Sequence, residues 1–539
     1  MTVPKFPEVD PGARRQWGST GLGLWNDKLL DSYLDEAVER CGDTEAVIDG
    51  QTRLRYRELG ALVARAATGL RHCGVRRGDV VSFQLPNWWE SLVLHLAVVR
   101  IGAVSNPLMP ILRERELRYM LRTAGSKLFV TAGRFRNFDH AALGRRLQAE
   151  LPELQQLLVA RAHDDLSPRF EDLLDSADGE PDPNRAPNDP LVLLYTSGTE
   201  SDPKGAVHSH NTIGYDTRSI IETYALGGSD VVFMPSPIAH ITGVLYGFHL
   251  ATMLATKVVY QDVWEPGKGL SLIERERCSF AIAATPFLHG LTYSDDLPKR
   301  NVSSLRVFGC GGADVPPKLI REASERLDCC VLRLYGSTEF PTLSSGQLAD
   351  SVDRRANTDG RLIGPAQARV VDEEGVALSA GIPGRLLARG PEAFLGYLGQ
   401  DRSPKDEDGW FDTGDAAVID AEGYIQITGR IKDIVVRGGE NISVKEVEDL
   451  LHTHADIAEV AIVAVPDLWL GERACAFVVP RQGCVIDLPR ISAFLDQFGI
   501  ARQKYPERVE IVDALPKTAT GKVQKFCLRE QLAQRMAAD

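Results

Sequence analysis

The chain has 539 residues, of which 44% are apolar and 25% charged. That length exceeds a single hydrophobic core and predicts two to four domains or subdomains. A net charge of −13 argues against a nucleic-acid partner, because a phosphate backbone calls for a basic surface. In chain order, the N-terminal MTVPKFPEVDPGARRQ carries no apolar signal core, which leads us to expect a cytoplasmic protein. Leu59, Leu62, Val63, Ala66 and Leu70 fall on one face at helical spacing. A strand is predicted within 79–87. The apolar run 91–98 is broken by His95 and is too short to span a bilayer, so no membrane span is expected. Further strands are predicted at 127–132, 191–196, 230–234, 257–260, 280–286, 305–312 and 331–337, most of them separated by helical patterns. This alternation predicts a layered α/β architecture with largely parallel sheets.

The stretch 176–190, SADGEPDPNRAPNDP, is a surface connection rich in Pro, Asp and Gly. Beyond about residue 350 the strands shorten and turns multiply (RVVDEEGVAL, GRLLARG, GYIQITGR), which predicts a smaller β-rich module. The last roughly 110 residues mix strands and helices as a compact α+β unit. Nine scattered cysteines include no Cys-x-x-Cys pair, so reduced and mostly buried thiols are expected rather than structural zinc.

The loop YTSGTESDPKG (195–205) follows a strand and offers hydroxyls, backbone N–H groups and a lysine, an array suited to phosphate oxygens. Its lysine does not fit G-x-x-x-x-G-K-[S/T], so it is not a Walker P-loop, which disfavours a kinase. Taken alone it also reads as an ordinary polar turn. The same holds for the motifs downstream. YGSTE (335–339) has the form of a capped helix start, and GCGGAD (309–314) that of a tight turn. In GWFDTGD, Asp412 and Asp415 suit turns. RGGEN suits a hairpin, and a lysine near a chain end is normally solvated.

Together, YTSGTESDPKG, YGSTE, GWFDTGD, GYIQITGRIKDIVVRGGENI (423–442) and PKTATGK (516–522) resemble, in order and spacing, the adenylate-forming superfamily. That superfamily comprises acyl-CoA synthetases, nonribosomal-peptide adenylation domains and beetle luciferases, and the chain looks most like its stand-alone acyl- or aryl-CoA ligases. The resemblance runs from about residue 30 to about residue 530. It implies an N-terminal domain over 1–431, built of layered α/β subdomains plus the β-rich module. It also implies a small mobile α+β domain over 432–539. The implied ligands are ATP, Mg²⁺, coenzyme A and a carboxylic acid.

Residue by residue, the resemblance assigns Thr196, Ser197, Gly198, Thr199 and Lys204 to the β- and γ-phosphates. Glu200 and Ser201 stand where the superfamily has Thr-Gly, and their effect is left open. Tyr335 and Gly336, with Gly311, Gly312 and Ala313, would line the adenine site. Thr338 would reach the α-phosphate and Glu339 would hold Mg²⁺. Asp415 would take the ribose hydroxyls with help from Arg430. Lys432 falls at the hinge, Gly438 and Gly439 in the loop serving the thiol step, and Lys522 at the lysine that bridges acid and α-phosphate. His240 would lie beside the substrate carboxylate, in an acyl pocket with Gly243, Val244, Phe287, Gly309, Gly311 and Pro341. That pocket is small or apolar and favours a hydrophobic monocarboxylic acid.

The reading is therefore an AMP-forming acyl-CoA synthetase. Transfer to a carrier-protein phosphopantetheine in trans, luciferase-type oxidation, a nucleotide sensor without turnover, and a homodimer all remain compatible with the sequence. The chain ends 17 residues after Lys522, so a fused carrier domain is not expected.

Overall fold

Five apolar residues on one helical stripe commit 56–72 to a helix, and the helix Tyr56–His72 forms with Leu59, Val63, Ala66 and Leu70 buried. Its start is fixed by Glu58, whose carboxylate accepts from the Arg55 amide at 2.7 Å, the return half of a capping box. The structure, a computed structural model, describes residues 5–177, 179–196, 203–312, 315–400, 402–433, 435–437, 440–442, 444–467, 471–498, 500–518 and 521–538.

The predicted strands gather into two large sheets. One runs, edge to edge, through Arg361–Leu362, Ser344–Ser345, Cys330–Tyr335, Val307–Cys310, Phe280–Ala283, Val231–Met234, Lys257–Tyr260, Glu45–Asp49 and Thr52–Arg55. The six strands from Cys330–Tyr335 to Glu45–Asp49 are parallel, and antiparallel strands close both edges. The other sheet runs through Gly396–Tyr397, Lys204–Ser209, Pro190–Thr196, Val104–Pro107, Val80–Gln84, Ser126–Ala132 and Gln156–Ala160. Strands such as VVSFQ and VFGC are buried along their whole length, as expected for parallel strands covered on both faces. One continuous core of buried side chains, including Val81, Phe83, Leu96, Phe248, Phe280 and Leu332, joins the two sheets.

Two expectations, the strand at 280–286 and the mostly buried cysteines, are corrected. The strand predicted at 280–286 stops at Ala283, because Pro286 opens the helix Thr285–Tyr293, where a missing N–H costs nothing. The apolar run 91–98 lies inside the buried helix Trp89–Arg100. All nine cysteines are free, but only Cys278, Cys310 and Cys475 are buried and the other six are half-buried. Among the described residues no helix is long and apolar enough to cross a membrane.

The β-rich module is a four-stranded antiparallel sheet of Gln367–Val371, Gly384–Arg389, Phe411–Ile419 and Ile425–Arg430. After it comes a smaller unit. The long hairpin Ile457–Asp467/Gly471–Pro480 carries Val435–Arg437 and Arg508–Ile511 on its flanks. Its separate core contains Val447, Leu451, Ile462, Val478 and Ile491.

Candidate active site

Ligands in open α/β sheets settle at the carboxyl ends of parallel strands, and the strand Cys330–Tyr335 delivers YGSTE to such an end. The chain then folds sharply back. A Cβ on Gly336 would lie 1.8 Å from the Pro341 carbonyl oxygen, so only glycine fits there. The Ser337 amide donates to Phe340 O at 2.8 Å, and the Phe340 amide donates to Ser337 Oγ at 3.1 Å. No helix follows; the next element is the short strand Ser344–Ser345. The capped-helix alternative is thereby removed.

Neighbouring segments hold this corner from two sides. His208 donates through Nε2 to the Thr338 carbonyl at 2.7 Å, and burial pushes its pKa down to about 4, so it is a neutral donor of fixed tautomer. The Phe394 amide donates to Glu339 O at 2.8 Å. The Tyr397 hydroxyl donates to Glu339 Oε1 at 2.8 Å. Lys204 lies 5.2 Å from the centre of the same Tyr397 ring, a cation–π distance. The loop lysine and the motif glutamate thus meet across one tyrosine. Thr196 and Lys204 pair at the loop end of the hairpin Pro190–Thr196/Lys204–Ser209. Among the described residues Tyr397 is the one hydrogen-bond partner of the Glu339 side chain. A carboxylate held by a single hydroxyl keeps spare lone pairs, the donors that a hard cation such as Mg²⁺ uses.

Asp415 was expected to end a turn. It lies instead within the strand Phe411–Ile419, opposite Arg430 and next to a register shift at Ala416/Ala417. Such bulges re-aim side chains. Tyr335 donates its hydroxyl to Asp415 Oδ2 at 2.5 Å, and Arg430 Nε reaches Oδ1 at 2.9 Å. Burial and the Asp415 charge raise the Tyr335 pKa well above the phenol range, so it donates at every working pH. Asp412 does serve the turn, accepting from the Gly414 amide at 2.9 Å.

Lys522 comes from the small unit on a tight turn. Thr518 N donates to Lys522 O at 2.8 Å, Gly521 N donates to Thr518 O at 2.9 Å, and Lys522 N donates to Thr518 Oγ1 at 3.1 Å. Gly521 has φ of +85°, and a Cβ there would lie 2.4 Å from Pro286 Cγ on the large domain. Burial and the nearby Arg430 lower the Lys522 pKa, with Asp415 and Asp433 acting against them. Burial, assisted by the Lys522 charge, pushes His240 down to about 4. The Thr242 amide donates to His240 Nδ1, which leaves Nε2 as the N–H donor of a neutral ring. The Lys522 charge therefore acts on His240, and the charges of Arg430 and Asp415 act on Lys522.

Gly309, Gly311 and Gly312 close the strand Val307–Cys310. A Cβ on Gly311 would meet Leu334 O at 2.4 Å, whereas Gly312 has φ of +77° and open space before it. Gly243 heads the π-helix Gly243–His249, with Ile238 Cα only 2.2 Å from where its Cβ would stand. Single-turn π segments are frequent at functional sites. Val244 is wholly buried, Phe287 is 7% exposed, and Pro341 is buried. Phe287 meets Trp264 edge-on at 5.0 Å. Lys432 falls in the short 3₁₀ turn Ile431–Asp433. Ser197, Gly198, Thr199, Glu200, Ser201, Ala313, Gly438 and Gly439 lie outside the described residues. Sequence reasoning missed His208, Phe394 and Tyr397. The only signal for the last two was the aromatic pair in FLGY, ahead of GWFDTGD.

Strand-end motifs in a large domain, with a lysine turn from a second, smaller domain seated against it at Pro286, fit an adenylate-forming enzyme. Two family models match: that of the AMP-binding enzyme over residues 34–398 and that of the AMP-binding enzyme C-terminal domain over 446–522. The chain belongs to this AMP-binding, adenylate-forming family. It is 36% identical over 530 residues to a medium-chain fatty-acid–CoA ligase of Escherichia coli (strain K12), covering 96% of this chain and 93% of that protein. It is 34% identical over 525 residues to a salicylyl-CoA synthase/salicylate adenylyltransferase of a Streptomyces species, covering 94% of each. Among solved structures it resembles ATP-bound MatB from Rhodopseudomonas palustris, with a TM-score of 0.85 and 29% identity over 94% of this chain and 99% of that one.

Proposed function

We propose that the chain activates a hydrophobic monocarboxylic acid with ATP, releasing pyrophosphate, and passes the acyl group from the acyl-adenylate to coenzyme A. It is an AMP-forming acid–thiol ligase. The observations that carry this reading are the Tyr335–Asp415–Arg430 group and the seating of the Lys522 turn against Pro286 of the large domain.

A carboxylate attacking a phosphate brings anion to anion, so the step requires charge neutralisation more than proton transfer. The acid is already ionised near neutral pH. Lys522 bridges the incoming carboxylate and the α-phosphate. Thr338 donates to that phosphate, and His240 donates from Nε2 to the carboxylate. Asp415 and Arg430 hold the ribose, and Lys204 with the hydroxyls of 196–199 holds the departing pyrophosphate. Glu339 is the residue that would hold Mg²⁺, which neutralises phosphate charge when bound. The turn at Gly521, seated on Pro286, closes the cleft against water that would hydrolyse the mixed anhydride. For the second step the small domain turns about Lys432 and presents Gly438 and Gly439 in place of Lys522. One of the two relatives is named for medium-chain fatty acids and the other for salicylate, each a monocarboxylic acid. His240, a neutral ring, supplies no counter-ion for a second carboxylate.

The test is to separate the half-reactions in Lys522→Ala. Acid-dependent ATP–pyrophosphate exchange should fall by roughly 10²-fold or more, while thioester formation from supplied acyl-AMP stays near the wild-type rate. The opposite pattern would remove Lys522 from adenylation. Pyrophosphate release over a panel of acids then identifies the acyl group, and preferred turnover of dicarboxylates or amino acids would refute the pocket reading.

A further inference from the structure

We propose that Lys405 is a positioning residue for the Thr338–Glu339 corner, acting through the aromatic segment 393–398. The inference rests on the assignment of that corner to the ATP phosphates. Lys405 belongs to none of the motifs that carry the family resemblance. Its ammonium donates to the Phe394 carbonyl at 2.5 Å and sits 5.5 Å from the centre of the Phe394 ring. The backbone of Lys405 bridges to Phe411.

From Phe394 the connections run inward. Its amide donates to Glu339 O at 2.8 Å. Its buried ring meets Tyr397 at 4.9 Å and Phe411 at 5.3 Å, edge-on in both cases. Tyr397 holds the Glu339 carboxylate and underlies Lys204. The same segment is stitched to the strand that leaves the phosphate loop. Leu395 N donates to Val207 O and Leu398 N to Gly205 O, both at 2.8 Å, and Tyr397 pairs with Ala206. Segment 393–398 is therefore a bar with the phosphate-loop strand on one edge and Glu339 on the other. Lys405 pins it at Phe394.

A hydrophobic residue could fill the space of the lysine stem. It could not replace a charge-assisted donor to a buried carbonyl, which is stronger than a neutral bond. Enclosure lowers the Lys405 pKa to about 8, with Asp10 opposing the shift. Asp10, from the start of helix Pro11–Trp17, is the one carboxylate that opposes it. His208 beside it is neutral, and Lys204 and Glu339 lie across Tyr397. The pin is charged at pH 7 and is lost as pH rises through about 8.

The test uses the full-length protein with Lys405→Met, Lys405→Arg and Glu339→Gln, assayed by ATP–pyrophosphate exchange from pH 6 to pH 10. Losing one charge-assisted bond should lower kcat/KM for ATP about 10- to 100-fold in Lys405→Met. Thioester formation from supplied acyl-AMP should change less than about 2-fold. Lys405→Arg should restore ATP use and move the alkaline decline near pH 8 upward, because a guanidinium does not titrate there. Wild-type kcat/KM for ATP in Lys405→Met at pH 7, or the same alkaline decline in wild type and Lys405→Arg, would overturn the proposal. The arginine comparison decides the matter even if the methionine variant folds poorly. If Glu339→Gln left ATP use intact, the functional reading itself would fail. If Glu339→Gln abolished ATP use while Lys405→Met did not, only the role of Lys405 would.

Discussion

Asp415→Asn tests the nucleotide site most directly, because it removes a charge with almost no change of shape. The side chain is 7% exposed and already accepts from Tyr335 at 2.5 Å and from Arg430 at 2.9 Å. A carboxylate offers about four acceptor positions, so about two remain for the ribose hydroxyls. Asparagine keeps one oxygen and turns an N–H donor toward one of the existing donors. The variant therefore loses one or two charged-acceptor bonds, each worth about 1.5–3 kcal/mol. Taking roughly 2–5 kcal/mol, kcat/KM for ATP should fall about 30- to several-thousand-fold. Folding should suffer less. Arg430 is 41% exposed, and a pair so screened by solvent contributes at most about 1 kcal/mol. The assay is ATP–pyrophosphate exchange with ATP and with its 2′- and 3′-deoxy analogues, run as a double-mutant cycle. Wild type should discriminate against the deoxy forms and Asp415→Asn should not. Undiminished discrimination in the variant would refute the ribose assignment.

Gly521→Ala would place a methyl 2.4 Å from Pro286 Cγ at a φ of +85°. Overpacking of this kind costs about 1–3 kcal/mol, so adenylation should fall about 10- to 100-fold, with thioester formation from acyl-AMP little changed. Equal losses in both half-reactions would mean that the seat of the lysine turn on Pro286 is not specific to adenylation. Asp216 is buried and accepts from Thr342 Oγ1 at 3.1 Å, and burial lifts its pKa to about 7. A raised carboxyl holds its proton in the folded state while the unfolded chain has released it, so it withdraws stability as pH rises from about 4 to about 7, by roughly 4 kcal/mol in all. His208, His210 and His240, each at about 4, act in the opposite sense over the same range. Asp216→Asn should therefore gain stability on wild type progressively between pH 4 and pH 7 in thermal melts, and a constant difference would exclude the titration.

Much of the fold was legible because parallel strands announce themselves as short apolar runs, and Val231–Met234, Lys257–Tyr260 and Cys330–Tyr335 all form where such runs stand. Glu45–Asp49 was not predicted because its apolar run is only Ala46–Ile48 between two acids, and Gln156–Ala160 because a short apolar run such as LLVA reads equally as helix. Asp415 was placed in a turn because FDTGD carries turn residues. Pairing with Ile425–Arg430, some fifteen residues on, overrides that local preference. The motifs gave Lys204 and the Thr338–Glu339 pair by kind but not their connection. Tyr397 reaches Glu339 across 58 residues and His208 reaches Thr338 across 130, and no local pattern encodes such distances.

The electrostatics of the cleft argue for the class of ligand independently of any resemblance. Lys522 is enclosed beside a second cation, Arg430, and its pKa is lowered despite Asp415 and Asp433 nearby. An ammonium in that position lacks sufficient counter-charge from the protein alone. His240, under the same field, is kept neutral and can only donate or accept a hydrogen bond. Asp415 cannot supply the missing charge, because Tyr335 and Arg430 already share it. An anion placed beside Lys522 would raise the lysine pKa toward its ordinary value. A site that encloses a lysine and withholds its counter-ion is built to receive negative charge from its substrates. Under the proposed function, a triphosphate and a carboxylate meeting at that lysine would provide it.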